Sequence, residues 1–169
     1  GTEARQQTRY TSLPAEWDYV AIGEIACEVS LRNTDGNNLS VLSCTKYDGL
    51  VDSLSYFGRQ IFSEDTSSYK IVKRRQFAYA TNHIEEGSIG YQYLYDAALI
   101  SPMYTVFETT NRVNDAFLYR LLKTELYRHI FEVNTSGTVN RRGRLGWSDF
   151  ARIKVPLPSE AEQARIAEF

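Results

Sequence analysis

The sequence predicts an α+β domain in which a twisted, mainly antiparallel or mixed sheet packs against one long amphipathic helix. Short β-like runs separated by turn signals extend to about residue 110. From Asn114 onward, apolar residues recur instead at helical spacing. The chain has 169 residues, of which 43% are hydrophobic and 24% charged, and this size suffices for one buried core. We therefore predict a single folded domain that begins near Leu13.

The clearest strand signal is a hairpin in the first third of the chain. Asp48-Gly49 stands between two short apolar runs, and this dipeptide favours the tight turn that joins antiparallel strands. Two more β-like runs flank a basic turn and three others follow them, at residues 69–72, 77–80, 88–91, 97–101 and 102–107. This part of the chain is therefore predicted to be mostly strand.

The helical part begins with a capping signal. Asn114 is a suitable N-cap, and the apolar residues after it fall on one helix face: Phe117, Leu118, Leu121, Leu122, Leu126, Ile130 and Phe131. They predict a single amphipathic helix of about four turns that packs on the sheet. Ser159 and Glu162 form a capping box, so a second helix is expected to start at Ser159 and to run to the end of the sequence.

Positive charge is concentrated in two stretches, although the net charge is only −2. The stretch between Asp65 and Glu85 has no acid and four cations: Lys70, Lys73, Arg74 and Arg75. Residues 136–155 contain five basic residues and one acid. A basic face of this kind is suited to nucleic acid, while the acidic residues near both ends are suited to partner subunits. The alternative is that these cations belong to an ordinary solvated turn.

The sequence lacks the motifs of several kinds of chemistry. It has no G-x-G and no G-K-[ST], which excludes the usual phosphate-binding loops. None of its lysines has an acid two residues before it, as a metal-dependent nuclease motif requires. A structural zinc site would need every histidine and cysteine of the chain: Cys27, Cys44, His83 and His129. We therefore expect a non-catalytic binding protein with no cofactor and no metal.

The ends of the sequence and its hydropathy indicate a location. Residues 1–12 are polar and begin with Gly1, so they are interpreted as a flexible linker or the remnant of a tag. No stretch approaches the roughly 18 apolar residues of a membrane span, and no export signal is present at the start of the sequence. We expect a cytoplasmic protein that does not contact a membrane.

Six short motifs occur in the order in which they appear in one known family. They are Trp17 with Ile22-Gly23-Glu24-Ile25, Gly49-Leu50-Val51, Ser63-Glu64-Asp65 with residues 69–72, Gly87-Ser88-Ile89-Gly90, residues 101–107, and residues 144–167. In this order the chain resembles the target recognition domain of the DNA-specificity subunit of type I restriction-modification systems. One departure is Thr81-Asn82-His83, where family members often have asparagine-proline followed by arginine.

The resemblance implies a domain organisation and a function. Residues 13–158 are expected to form the recognition domain, and residues 159–169 the first turns of the coiled-coil spacer helix of the family. Such a domain reads one half of a bipartite site in double-stranded DNA, and its subunit assembles with methyltransferase (modification) and restriction subunits. Because the helix is short, we expect the fragment to be monomeric. The alternative is a protein-interaction module of the same fold that binds a partner subunit without specific DNA contact.

The candidate DNA contacts lie on loops and turns of the predicted sheet. They are Lys46, Tyr47, Lys73, Arg74, Arg75, Thr81, Asn82, His83, Ser88, Asn140, Arg141, Arg142 and Arg144. Arginine can bind guanine and asparagine adenine through two hydrogen bonds, so the residues of the last loop are expected to read bases. The cations of the basic turn are expected to bind phosphate, which adds affinity but no sequence information.

Three tyrosines suggest a second way of binding nucleic acid. Tyr91, Tyr93 and Tyr95 have the spacing of one strand face, which is suitable for stacking on the bases of a single strand. The alternative, which we favour, is a half-buried sheet surface with wet hydroxyl groups. The tyrosine stretch itself contains no basic residue.

Overall fold

The computed structural model describes residues 17–136 and 143–168, and ten strands in these ranges form three sheets. Sheet 1 pairs two antiparallel strands, β1 (Asp18–Ala21) and β10 (Lys154–Leu157). Sheet 2 is antiparallel throughout and consists, in spatial order, of β2 (Ala26–Val29), β9 (Tyr104–Thr109), β6 (Phe77–Ala80) and β7 (Ile89–Tyr91). Sheet 3 consists, in spatial order, of β4 (Gly49–Asp52), β3 (Val41–Thr45), β8 (Ala97–Ile100) and β5 (Lys70–Lys73).

Sheet 3 is mixed, because β3 and β8 run parallel while its other pairs are antiparallel. The helices are α1 (Ser53–Phe57), α2 (Asp115–Leu122), α3 (Glu125–Ser136), α4 (Trp147–Phe150) and α5 (Glu160–Glu168). No helix in the described ranges is long and apolar enough to cross a membrane. The α+β class with mainly antiparallel and mixed sheets is therefore confirmed.

The prediction of one long helix is wrong. The helical segment is divided into α2 and α3 by two residues, Lys123 and Thr124. The Thr124 hydroxyl donates to the Leu121 carbonyl at 2.7 Å and accepts from the Tyr127 amide at 3.3 Å, so it ends one helix and caps the next. The predicted N-cap is confirmed, since the side chain of Asn114 accepts from a backbone amide of α2 at 3.0 Å.

The predicted hairpin is confirmed at Asp48-Gly49. Three residues connect β3 to β4, and Gly49 has φ = 67°, in the left-handed region that favours glycine. The Thr45 hydroxyl accepts from the Asp48 amide at 3.0 Å and donates to the Gly49 carbonyl at 3.2 Å. The hairpin tip, defined as Lys46–Asp48, is therefore held by its own side chain and backbone.

Sheet 2 forms the middle layer of the domain because its residues alternate between two cores. Phe77 and Tyr79 of β6 face the helices, whereas Ala78 between them faces sheet 3. The helix-side core is aromatic: the rings of Phe77 and Phe107 stack at 4.8 Å, and those of Tyr79 and Phe150 at 4.6 Å. Each such pair contributes about 0.5–1.5 kcal/mol beyond its buried area. This core fixes the positions of both ends of β6.

The last helix is attached to the domain by a buried glutamine. Gln163 is 1% exposed; its amide nitrogen donates to the Pro158 carbonyl at 2.9 Å, and its side-chain oxygen accepts from the Asn114 amide at 2.7 Å. The Glu162 amide donates to the Ser159 hydroxyl at 3.3 Å, which is one half of the predicted capping box, whereas the Glu162 carboxylate pairs with Arg165. The assignment of residues 159–169 to a spacer helix stays a prediction, and residues 1–12 lie outside the described part of the chain.

Candidate nucleic-acid interface

Strand β6 separates the predicted DNA contacts into two groups. The basic turn (Lys73–Gln76) precedes the strand, and the β6–β7 loop (Thr81–Ser88) follows it. Three steps of about 3.3 Å separate the first residue of the strand from the last, so its ends lie roughly 10 Å apart. The two groups therefore meet different parts of any bound duplex.

The basic turn has a fixed backbone and exposed side chains. The amide of Lys73 donates to the Gln76 side chain at 2.8 Å, that of Arg74 to the Asp96 carbonyl at 3.0 Å, and that of Arg75 to the Gln92 carbonyl at 2.7 Å. All three cationic side chains are exposed. The turn therefore presents its charges to solvent from a fixed backbone, where phosphates can reach them.

The guanidinium of Arg74 is already engaged. Its Nε lies 3.1 Å from the Asp96 carboxylate, and its NH1 donates to the Tyr93 carbonyl at 2.6 Å. The Asp96 side chain is 98% exposed, so solvent screens this ion pair and its contribution to stability is small. Within the turn, Arg74 offers DNA less unpaired positive charge than its neighbours.

Arg75 has an unusual backbone conformation. Its φ is 70°, and it is the non-glycine residue with positive φ in the described part of the chain. This region is uncommon for a residue with a long side chain. Among the described residues, no hydrogen bond or ion pair is made by its guanidinium, which lines a cleft.

The hairpin tip is exposed and is tied to the β6–β7 loop by one lysine. Tyr47 is 86% exposed, and the Lys46 ammonium lies 5.4 Å from the centre of its ring. From the other side, the Lys123 ammonium donates to the Lys46 carbonyl at 3.1 Å and to the Gly87 carbonyl at 2.6 Å. Burial lowers the pKa of Lys123, and the nearby Arg128 charge acts in the same direction.

The β6–β7 loop is neutral to acidic on its outer side. His83 is exposed, and its Nδ1 lies 3.2 Å from the Glu86 carboxylate. The potential ligand atoms of His83, Glu85 and Glu86 lie within 4.8 Å of one another. Thr81 and Asn82 are half-buried, and the Thr81 hydroxyl donates to the Met103 carbonyl at 3.1 Å.

Ser88 differs from the other candidates on this loop because it is only 8% exposed. Its hydroxyl lies beside the thiol of Cys44, whose pKa burial raises to about 11. A buried hydroxyl cannot reach a base edge in a groove, so Ser88 is not included in the proposed interface.

Arg144 lies beside the start of the β6–β7 loop. It is exposed, while the next residue, Leu145, is fully buried. The Leu145 amide donates to the Thr81 carbonyl at 2.8 Å, and its carbonyl accepts from the Tyr79 hydroxyl at 3.0 Å. Arg144 is therefore anchored at the end of β6. Asn140, Arg141 and Arg142 lie outside the described residues, and their DNA contacts stay predictions.

The spacing of one strand face for Tyr91, Tyr93 and Tyr95 is not realised, because β7 ends at Tyr91. The side-chain oxygen of Gln92 accepts from the Leu94 amide at 2.7 Å and the Tyr95 amide at 2.9 Å, which bends the chain immediately after β7. Tyr93 is 63% exposed, whereas the Tyr95 hydroxyl donates to the Asp52 carboxylate at 2.7 Å. The tyrosines therefore do not form a flat stacking platform.

Instead, two of these tyrosines line a cleft of about 790 Å³ between the hairpin tip, the end of β7 and the start of α2. The Tyr91 hydroxyl donates to one oxygen of Asp115 at 2.5 Å, and the Thr109 hydroxyl donates to the other. Burial, followed by the Asp115 carboxylate, raises the pKa of Tyr91. Arg75 and Tyr119 also line this cleft.

The family model of the type I restriction modification DNA specificity domain matches residues 14–169. This chain belongs to that family. The family predicted from six ordered motifs is therefore confirmed, and the match covers nearly the whole chain. No curated protein sequence matches the chain significantly.

Solved structures of the same system share the fold of this specificity domain. The HsdS subunit from Thermoanaerobacter tengcongensis has a TM-score of 0.61 at 18% identity, over 99% of this chain and 41% of that one. The S subunit of the type I system from M. genitalium has a TM-score of 0.55 at 17% identity, over 98% and 41%. A chain from a study of complex assembly and conformational transition of the type I R-M system has a TM-score of 0.60 at 16% identity, over 99% and 44%.

The domain thus spans less than half the length of each of these solved chains. Within the domain, sequence reasoning missed the residues that position the candidate contacts. Lys123 ties the hairpin tip to Gly87, and the Nε of Arg128 donates to the Glu85 carbonyl at 3.4 Å. Both residues lie in the stretch that the sequence predicts as one amphipathic helix, and its periodicity does not indicate a contact with a distant loop. Thr124 was the available signal that the helix is interrupted at this point.

Proposed function

We propose that this specificity domain binds double-stranded DNA and reads one half of a bipartite target for a type I restriction-modification complex. In the proposal the domain itself is non-catalytic and acts in the cytoplasm, and methyltransferase and restriction subunits of the complex modify or cleave the DNA. The family match over residues 14–169 is the observation that carries this function. The exposed cations of the basic turn supply the electrostatic attraction that it needs.

The geometry supports a division of labour between affinity and sequence reading. Lys73 projects from a backbone fixed by hydrogen bonds, which suits contact with the regular phosphate backbone. Tyr47 and Lys46 project from a narrow two-stranded tip, a shape that the major groove admits. Arg144 projects beside Thr81 at the other end of β6 and is our second candidate for base reading.

The proposed domain limits agree with the packing of the chain. Residues 13–158 would form the reading unit, because β10 closes sheet 1 before Pro158. Residues 159–169 would begin the spacer helix, because α5 starts at Glu160 after the Ser159 cap. The length of the solved chains leaves room for a second recognition domain in the parent subunit, and that organisation belongs to the proposal.

The test is a salt titration of binding to duplex DNA. We expect a micromolar dissociation constant for this half-site reader, with log K falling by about 0.9 per log salt for each phosphate contacted. Lys73→Ala is expected to lower that slope by about one. The matched control is Arg152→Ala, which removes an exposed cation outside the proposed interface. A domain that binds a partner subunit but shows no salt-dependent duplex binding would be a protein-interaction module instead.

A further inference from the structure

The cleft beside the basic turn has the features of a nucleobase site. Its volume of about 790 Å³ lies within the range of small-ligand pockets, and its walls include the rings of Tyr91, Tyr93 and Tyr119. Aromatic walls favour a flat ring as the occupant. The cleft opens next to the exposed ring of Tyr93, so an occupant can enter from the surface that we assign to DNA.

Four charged residues line the cleft, namely Asp48, Arg75, Asp115 and Arg120, and two of them bear on Tyr91. Arg75 and Asp115 both act on the Tyr91 hydroxyl, since Asp115 raises the pKa of Tyr91 and Arg75 opposes that shift. Yet no ion pair joins Arg75 to Asp115 among the residues that the structure describes. A cation and a carboxylate that line one cleft without pairing suit an occupant that has acceptors on one edge and donors on the next.

The carboxylate is held in one orientation. Tyr91 and Thr109 each donate to a different oxygen of Asp115, so its plane is fixed before any ligand arrives. An ionised carboxylate has about four acceptor positions, and these two bonds leave about two of them. The remaining positions suit a pair of adjacent N–H groups.

We propose that this cleft binds an unpaired guanine, with Asp115 accepting from its N1–H and N2–H₂ groups and Arg75 donating to O6 and N7. Guanine is the nucleobase that has two neighbouring donors on its Watson–Crick edge and two neighbouring acceptors on its major-groove edge. Arginine is the usual partner of those acceptors. Because Asp115 takes the Watson–Crick edge, the guanine must be out of its base pair.

The backbone of Arg75 fits this role. A left-handed conformation is strained at a non-glycine residue, and residues strained in this way cluster at ligand-binding and active sites. Here it accompanies a guanidinium that lines the cleft, while the neighbouring Arg74 is turned to Asp96. This proposal rests on the proposed function only for the source of the guanine, which is either a DNA strand or a free nucleotide.

The first experiment titrates the domain with dGMP, dAMP, dCMP and dTMP at low salt and follows backbone amide shifts by NMR. We expect dGMP to shift the amides of Thr110, Asn111 and Tyr93 with a dissociation constant of about 1 mM, and the other nucleotides to bind at least about tenfold more weakly. Asp115→Asn is expected to abolish the preference for dGMP, because an amide NH₂ opposes the N1–H donor. Arg75→Ala is expected to weaken dGMP about tenfold.

Arg152→Ala is the control and should bind dGMP as the unmodified domain does. Thermal unfolding of each variant separates loss of binding from loss of fold, and Arg75→Gly gives a second variant without the guanidinium and without the backbone strain. Equal binding of all four nucleotides, or dGMP shifts that persist in both Arg75 variants, would overturn the proposal. So would the absence of shifts at the cleft up to about 10 mM dGMP.

A second arm identifies the source of the base. Duplexes with a single bulged guanine or a single bulged adenine are added to the dGMP complex. Displacement by the bulged guanine alone assigns the site to DNA, whereas displacement by neither duplex assigns it to a free nucleotide. Salt-dependent binding of a fully paired duplex is measured separately, so that failure of the proposed function and failure of the guanine site give different results.

Discussion

The two ends of β6 hold their connecting segments in opposite ways. At the start of the strand, the basic turn directs three cations outward, and its amides are bound by residues 92–96 and by Gln76. At the end of the strand, the β6–β7 loop exposes His83 and Glu86, and its carbonyls receive donors from Lys123 and Arg128. One end of the strand therefore directs its cations to solvent, while at the other end the cations bind backbone carbonyls of the loop.

This difference indicates how a duplex would approach the domain. Phosphates would be attracted to the basic turn and repelled by the carboxylates near His83, so we expect the strongest electrostatic contacts at one end of the strand. Contacts at the other end depend on Arg144 and on any cations of the segment before it. In our proposal, affinity is consequently assigned to the basic turn, and sequence reading to Arg144 and the hairpin tip.

The largest expected effect comes from removing the link between the hairpin tip and the β6–β7 loop. Lys123→Met keeps an unbranched side chain but removes the ammonium that binds the Lys46 and Gly87 carbonyls. Because the hydrogen bond to the Gly87 carbonyl is half-buried, the loss of its charged donor is expected to lower the free energy of unfolding by roughly 2–3 kcal/mol. Urea denaturation measures this change. Lys46→Met is the control, because its own ammonium is exposed, and equal stability of the two variants would show that Lys123 does not join these segments.

The second prediction separates reading from affinity. Arg144→Ala is expected to cost about 1–3 kcal/mol of discrimination at one base position, because an arginine that binds guanine through two hydrogen bonds is lost. Lys73→Ala is expected to weaken binding to all sequences alike. Affinities for a set of duplexes with single-base changes, taken from a target selected out of a random pool, provide the comparison. Uniform weakening by both variants would remove Arg144 from the reading residues.

A third prediction concerns strain in the basic turn. Arg75→Gly should raise the unfolding free energy by about 0.5–1 kcal/mol, since glycine adopts positive φ without steric cost. The same change should lower DNA affinity, because a cation is lost. The matched control is Arg74→Gly, which relieves no positive φ, removes the hydrogen bond to the Tyr93 carbonyl and adds backbone entropy to the unfolded chain, so its stability should fall. Thermal and urea unfolding measure whether the two variants change the free energy of unfolding in opposite directions. A decrease in stability for Arg75→Gly would contradict the assignment of strain.

The smallest expected effect is at the surface ion pair of the basic turn. Asp96→Asn removes an acid that is 98% exposed and releases Arg74 from its partner. Stability should stay within experimental error, because exposed ion pairs are strongly screened. DNA affinity at low salt should increase by up to about threefold, and the increase should vanish at high salt. Fluorescence anisotropy at two salt concentrations is sufficient, and an unchanged affinity at low salt would place DNA away from Arg74.

The sequence predicted local structure better than it predicted the use of side chains. The hairpin at Gly49 and the cap at Asn114 were both correct, because turn and cap preferences arise within a few residues. The single long helix was wrong, because the apolar period continues across Thr124 while its hydroxyl replaces the backbone bonds there. Periodicity reports which face is buried and does not report whether the axis is continuous.

In the candidate interface, exposure could be predicted from the sequence, but contacts between residues far apart in the chain could not. Exposure of Lys46, Tyr47 and Lys73 was predictable from polar turn segments, and the structure agrees. Burial of Ser88 and the cleft between Arg75 and Asp115 depend on contacts between residues far apart in sequence. Tyr91 meets Asp115 only because β7 and the start of α2 are brought together by the core. A single sequence contains no local signal for such a meeting.

The pairing of β1 with β10 has a consequence for how such a domain can be exchanged. Asp18 lies opposite Leu157, so the chain enters and leaves the domain one strand spacing apart, about 5 Å. A unit whose two connections are adjacent can be removed from a longer chain, and another unit with the same paired strands put in its place, without moving the flanking segments. The paired strands of sheet 1 would therefore allow the domain to be exchanged between longer chains as one unit.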